Sequence, residues 1–366
     1  MDAFAVTDRR VEVEADFDFL SAEYRALYAA SAATAFQAPL WMHHLHHRLG
    51  PALGARQHTV TVRDAAGMLL AVFPFVIQRS SGVTLLQPAD FGVCDYNAVV
   101  AEAGMLEELA ADSKVVGALG RSFRPCDLVM FRKIRADGFD PAPFFGRVRV
   151  SEGENAAYAI PVDEDLDHWR LKVLKRKFTK ELGRLQRQAE SRYGTYEHRL
   201  ATSPEDVAAA MTFLRDCRED RFEGNLLERP EYFDFYRDYA IAAAESGEAL
   251  TYVSYLGGEP VAVLFGLAGD GGFHATLIAS DIRSHAQLSA GLQILYRVAR
   301  LRREEGHGVL DMCLGDSGYK MHFRPVKTSM HNMTKALSLR GVAVSAIYHH
   351  AKPLKNLLRK GAQNVR

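Results

Sequence analysis

The residues best equipped for chemistry lie between Phe273 and Phe323. Asp311 is followed within a few positions by Asp316-Ser317-Gly318-Tyr319-Lys320, which sets carboxylates, a phenol and an amine close together. Acyl transfer to an amine or hydroxyl needs a base for the attacking group and an acid for the departing one. Tyr319 is the candidate acid. Lys320 is placed to stabilise developing negative charge or to hold an anionic donor. Asp316 and Asp311 are candidates to position or deprotonate an acceptor, unless Asp311 simply ends a strand and Asp316–Gly318 is only a turn. His274 shares a strand face with Thr276 and Ile278, so it either points into a cleft or packs.

Between these groups runs Gln287-Leu288-Ser289-Ala290-Gly291-Leu292, at the start of a segment with helical spacing. A helix N-terminus offers backbone N–H groups and the positive end of the dipole. The small residues at 289–291 let phosphate oxygens approach that backbone, so Gln287, Leu288, Ser289, Ala290, Gly291 and Leu292 form a candidate pyrophosphate loop. Two other groupings read as structural. His43-His44-Leu45-His46-His47 puts His43 and His47 on one helix face, as metal ligands can be, but there is no HExxH glutamate or third ligand. Cys94, Cys126, Cys217 and Cys313 are far apart among apolar neighbours and read as packed, reduced thiols. No metal is expected.

The elements that must position these residues follow from hydrophobic period. In the second half the period is two over 249–256, 260–268 and 273–280, with hairpin turns at Gly257-Gly258 and 269–272. A loop, a helix over 289–305 and a strand over 307–314 follow. Before them lie a helix from Ser203-Pro204-Glu205-Asp206, one over 230–247, and a helix over 165–193. That last helix carries Arg170, Lys172, Lys175, Arg176, Lys177, Lys180, Arg184 and Arg187 on its polar surface. The first half reads as helices over 17–35 and 40–49, strands over 57–63, 68–78 and 83–87, a helix over 104–121 and a strand over 127–131. Another strand is expected near 333–340. The Gly- and Pro-containing stretch 136–160 marks a boundary. The expected division is 1–150, 151–345, and a basic tail helix over 346–366 containing Lys352, Lys355, Arg359 and Lys360.

Three antiparallel strands, a small-residue loop, a helix and a returning strand resemble the acyl-CoA core of the GNAT superfamily. The basic helix, Gly258-Glu259-Pro260-Val261-Ala262, Ser289-Ala290-Gly291, Leu310-Asp311 and the loop from Asp90-Phe91-Gly92 to Asp95-Tyr96-Asn97 are similar to the CelD/BcsL-like branch, the cellulose-biosynthesis type. Fem-type aminoacyltransferases are similar in plan. The resemblance implies an α+β fold of two GNAT-like halves, each a mixed or antiparallel sheet flanked by helices, joined by the long basic helix. It implies acetyl-CoA or another acyl-CoA as co-substrate, with its thioester between the strands 273–280 and 307–314 and its pyrophosphate at 288–292. Ala290 and Leu292 stand where the usual loop has glycine-type residues. The implied acceptor is a sugar, exopolysaccharide or envelope precursor, with Asp95, Tyr96 and Asn97 as its wall and no donor site in the first half. Under the Fem-type plan the donor is an aminoacyl-tRNA, and Arg176 and Lys177 belong to its binding track. A third reading is a GNAT-derived binding or regulatory module without turnover.

The bulk properties fit these readings. Two domains suit 366 residues, and 48% apolar with 25% charged side chains is a globular composition. Lysine plus arginine and aspartate plus glutamate balance at 45 each, so an anionic partner would be met locally, through the basic surface at 170–187. The first residues lack an apolar signal core, and the run 68–77 is too short to span a bilayer. A cytoplasmic location is expected.

Overall fold

The computed structural model describes residues 8–350 apart from 81, 162–164, 220–223, 270, 271 and 307. The chain forms two units, Met1–Glu154 with Ser329–Arg366, and Asn155–Thr328. Both are α+β, as expected.

In the first unit Pro74 divides one apolar run into two strands, because proline cannot donate to a ladder. Leu69–Phe73 joins a four-stranded sheet with Arg10–Glu14, Thr59–Arg63 and Val100–Ala101, while Phe75–Ser80 enters a six-stranded one. The six run in the order Arg56–Gln57, Phe75–Ser80, Val83–Pro88, Leu128–Arg135, Met330–Ala336, Arg149–Glu152. The core is largely phenylalanine: Phe73, Phe75, Phe123, Phe131, Phe144 and Phe145 are all buried. Asp112 caps the helix Ser113–Ser122 by accepting from Lys114 N and Val115 N, which splits the helix expected over 104–121.

The expected boundary at 345 moves. Met330–Ala336 pairs with Leu128–Arg135 on one side and Arg149–Glu152 on the other, so the chain is back in the first unit from Ser329. Its buried Met330, Met333 and Thr334 fill that sheet, and sequence order alone cannot reveal such a return. Residues 339–350 are helical, and Lys352, Lys355, Arg359 and Lys360 lie outside the described residues.

The second unit has a seven-stranded sheet in the order Tyr196–Ala201, Ala249–Leu256, Glu259–Gly269, Gly272–Ser280, Val309–Leu314, Ala157–Pro161, Val326–Thr328. Every pair is antiparallel except Gly272–Ser280 with Val309–Leu314. Gly257 and Gly258 both take positive φ, the two-residue hairpin geometry. A Cβ on Gly257 would lie 2.1 Å from the Tyr193 carbonyl oxygen, so no other residue fits there. Ser203 Oγ caps Pro204–Arg218 by accepting from Asp206 N at 3.1 Å. The helix Ala290–Glu304 lays Ile294, Leu295, Val298 and Ala299 against the sheet.

The long basic helix is a correction. It does not join the units but lies inside the second, and it is broken. A short turn at Leu166–His168 leads into a widened turn at Trp169–Val173, Leu174 is extended, and the regular helix is Arg176–Tyr193. Trp169 holds the break: it is buried, stacks on Tyr296 at 5.7 Å and carries the Arg303 guanidinium 4.4 Å from its ring. Tertiary packing overrides a continuous helical period here.

Candidate active site

The parallel pair that departs from the antiparallel pattern also opens a cleft. Gly272, Phe273 and His274 pair with Val309, Leu310 and Asp311, and the pairing stops there. The two strands continue to Ser280 and Leu314 without pairing each other, which leaves an opening between them. A cleft of about 440 Å³ lies at that opening. Its walls are Ile278, Ala279 and Ser280 from one strand, Ile282, His285, Ala286 and the four residues from Ser289 to Leu292, and Ser317 with Tyr319 beyond the other strand.

Ser289, Ala290, Gly291 and Leu292 all line the cleft, while Gln287 and Leu288 line a small neighbouring hollow. Ser289 takes the left-handed conformation (φ 54°) just before the helix, and its carbonyl accepts from Leu292 N and Gln293 N. The N–H groups of Ala290 and Gly291 therefore open the helix, where an α-helix has no internal acceptor for them. A Cβ on Gly291 would meet Ser280 Oγ at 3.5 Å and Ile278 Cδ1 at 3.9 Å, ordinary contact distances, so a methyl fits there and a larger side chain would fill the space between loop and strand.

Tyr319 closes the other side from the short turn Gly318–Phe323. Burial pushes its phenol above the usual value and nearby Cys313 adds to this, while Arg218 pulls it back. The phenol thus stays protonated through neutral pH and is a proton or hydrogen-bond donor. Arg218 ends the helix Pro204–Arg218 and donates Nη1 to the Ile278 carbonyl at 3.0 Å, which ties that helix to the cleft strand.

His274 and Asp311 face each other across the last parallel pair, with Nδ1 3.6 Å from Oδ2. Asp311 is 2% exposed, and its Oδ1 accepts from Cys313 N at 2.6 Å. Phe273, Leu310 and Met312 point to the apolar core, so His274, Asp311 and Cys313 share the opposite face.

Neither His274 nor Asp311 lines the cleft, and the other sequence candidates also fall elsewhere. Lys320 is 2% exposed and donates Nζ to the carbonyls of Cys313 at 3.0 Å and Leu314 at 2.8 Å. Its ammonium fastens the turn to the strand end, and it is not among the cleft residues. Asp316 is exposed and accepts from the Tyr158 hydroxyl at 2.7 Å, so it anchors a turn. Tyr96 and Asn97 are buried rather than forming a wall. Tyr96 packs edge-on against Phe36, and Asn97 donates to Asp90 Oδ2 and the Arg132 carbonyl. Asp95 is half-buried beside them. Arg176 and Lys177 are exposed in the first turn of their helix. Arg218 was not singled out in the sequence, and Cys313, read there as a packed reduced thiol, is free and buried but lies beside His274 and Asp311. The spacing of Asp311 and Cys313, two apart on one strand face, is the signal that could have found Cys313.

Residues 176–321 match the family described as acetyltransferase (GNAT) domain. Over those residues the chain is similar to a GNAT-type domain. The cleft, its loop and Tyr319 all fall within the matched residues. No curated protein matches the chain by sequence. Among solved structures it is similar to FemX, with a TM-score of 0.60 at 11% identity over 90% of this chain and 98% of that one. It is also similar to a conserved protein of unknown function from Bacteroides thetaiotaomicron, with a TM-score of 0.55 at 13% identity over 89% and 100%. The L-PGS structure from Bacillus licheniformis gives a TM-score of 0.53 at 13% identity over 89% and 96%. At these identities the likeness establishes a shared fold. Among the described residues no helix is long and apolar enough to cross a membrane.

Proposed function

We propose that the protein transfers an acyl group, acetyl in the simplest case, from acyl-CoA to an amine or hydroxyl of a sugar or envelope precursor. One observation carries this: a single cleft joins the helix-opening loop Ser289–Leu292 to the protonated phenol of Tyr319 across two parted strands. Ala290 and Gly291 N–H groups, with the helix dipole, receive the pyrophosphate. The thioester lies between Ile278–Ser280 and Tyr319. His274, held by Asp311 and set back from the residues that line the cleft, receives the proton of the attacking amine or hydroxyl through water as the nucleophile bonds to the acyl carbon. The carbon–sulfur bond breaks, and the departing thiolate draws on the Tyr319 proton. Lys320 and Asp316 support this site by holding the turn that carries Tyr319.

Calorimetry with acetyl-CoA tests the donor. The native protein should bind saturably, and Gly291→Trp should abolish binding, because the indole must occupy the space bounded by Ser280 and Ile278. Absence of binding by the native protein sinks the reading. The exposed Arg176 and Lys177 favour one rival, an aminoacyl-tRNA donor. Salt-sensitive tRNA binding without acetyl-CoA binding would replace the first donor with that one. Donor binding without thiol release for any acceptor would mark a non-catalytic module.

A further inference from the structure

We infer that His274, Asp311 and Cys313 form a binding site for one divalent transition ion of the zinc class, at the point where the two parallel strands part. Their ligand atoms, an imidazole nitrogen, a carboxylate oxygen and the cysteine sulfur, already lie within 4.8 Å of one another. Around a tetrahedral zinc ion with bonds of about 2.0–2.3 Å, ligand atoms stand roughly 3.3–3.8 Å apart. The 3.6 Å between His274 Nδ1 and Asp311 Oδ2 meets that spacing unchanged. The separations to the sulfur are no more than 4.8 Å.

The backbone brings the three together. His274 is in register with Asp311, and Cys313 lies two residues further along the same strand face. Cys313 takes φ 60°, a conformation uncommon for any residue but glycine, and its N–H is bonded to Asp311 Oδ1. That bond fixes one carboxylate oxygen and presents the other towards His274, as hydrogen bonds to metal-bound carboxylates do.

Charge and chemistry select the ion. Asp311 and Cys313 are only 2% and 3% exposed, a place where an uncompensated divalent charge would be prohibitively costly. A carboxylate and a thiolate bring two negative charges, which match those of a divalent ion. Sulfur and nitrogen exclude magnesium and calcium, which take oxygen ligands, and match zinc or its cobalt substitute. Three protein ligands leave a fourth position for water or substrate. An ion bound here engages the lone pair that His274 would use for proton transfer, so occupancy stops acyl transfer. That consequence rests on the acyl-transfer reading, whereas ion binding does not.

The full chain, stripped of metal by chelator, is titrated with Co²⁺ with no acyl donor present. The expected result is one ion per chain, with the visible bands of tetrahedral cobalt and a thiolate-to-cobalt charge-transfer band, both erased by Zn²⁺. Cys313→Ser should lose the charge-transfer band, and His274→Ala or Asp311→Asn should weaken binding by at least about tenfold. No charge-transfer band in the native protein, or one that persists in Cys313→Ser, overturns the site. The native titration stands alone if a variant fails to fold. In the turnover assay Zn²⁺ should inhibit the native enzyme, and Cys313→Ser should need at least about tenfold more Zn²⁺ for the same fractional inhibition. Stoichiometric binding without inhibition would keep the site and overturn the proton-transfer role of His274.

Discussion

Replacing Tyr319 by phenylalanine removes one oxygen and leaves the ring in its packing against the core of the second unit. The size of the effect follows from the protonation of the phenol. Burial holds it above an ordinary tyrosine, whereas an ordinary thiol ionises near about 8.5. Complete proton transfer from the phenol to the thiolate is therefore uphill. Tyr319 acts mainly as a hydrogen-bond donor to sulfur as charge develops. A hydrogen bond to a charged group is worth about 1.5–3 kcal/mol, which predicts a loss of about 10- to 150-fold in kcat. Donor affinity should change little, since the bond strengthens only as the thiolate forms. The assay follows free thiol released from acetyl-CoA in the presence of a panel of amino sugars, with calorimetry reporting donor binding separately. The native rate should not decline from deprotonation of this phenol until the pH passes an ordinary tyrosine pKa. An unchanged kcat in Tyr319→Phe, or a loss confined to KM, refutes the assignment.

Lys320→Met leaves the carbonyls of Cys313 and Leu314 without their donor in a buried place and should cost about 2–4 kcal/mol, read as a lowered unfolding midpoint. An unchanged midpoint with lost turnover would restore a direct catalytic role to this lysine. His46 is buried, stacks on Phe19 at 4.6 Å, and has no hydrogen-bond partner on either ring nitrogen. Burial above all, then His47 and His43, pushes its pKa down to about 3. The unfolded chain takes a proton there below about pH 6.5, so this contribution is intact above that pH and is lost as pH falls towards 3. Urea unfolding at pH 7 and 4.5 should differ by up to about 2.7 kcal/mol from this group. His46→Phe keeps the stack and should flatten the slope; an unaltered slope would count against it.

The second unit was the more legible in sequence because its signals are local. Period-two runs, Gly257-Gly258, the Ser203 cap and the small residues at 289–291 each act within a few positions, and strands and helices form where they indicate. Gly291 and Tyr319, both singled out from that order, line one cleft. What was not legible depends on partners distant in sequence. Trp169 breaks a helix because Tyr296 and Arg303 receive it. Lys320 has the composition of a catalytic residue, but two strand-end carbonyls occupy it. Tyr96 and Asn97 read as a surface loop, yet Asp90, buried between Arg132 and Lys133, draws Asn97 inward. Cys313 looked inert because its neighbours in sequence are apolar, while its neighbours in space include His274 and Asp311.

The return of Met330–Ala336 into the first sheet has a consequence for how the chain is made. Its two sheet neighbours, Leu128–Arg135 and Arg149–Glu152, leave the ribosome long before it does. Until residue 336 has been synthesised, the first sheet lacks an inner strand and presents two open edges, whereas every strand of the second unit is already available. The second unit can thus mature before the unit that begins the chain. A nonsense mutation after Thr328 would spare every residue of the cleft and still leave the N-terminal sheet unable to close.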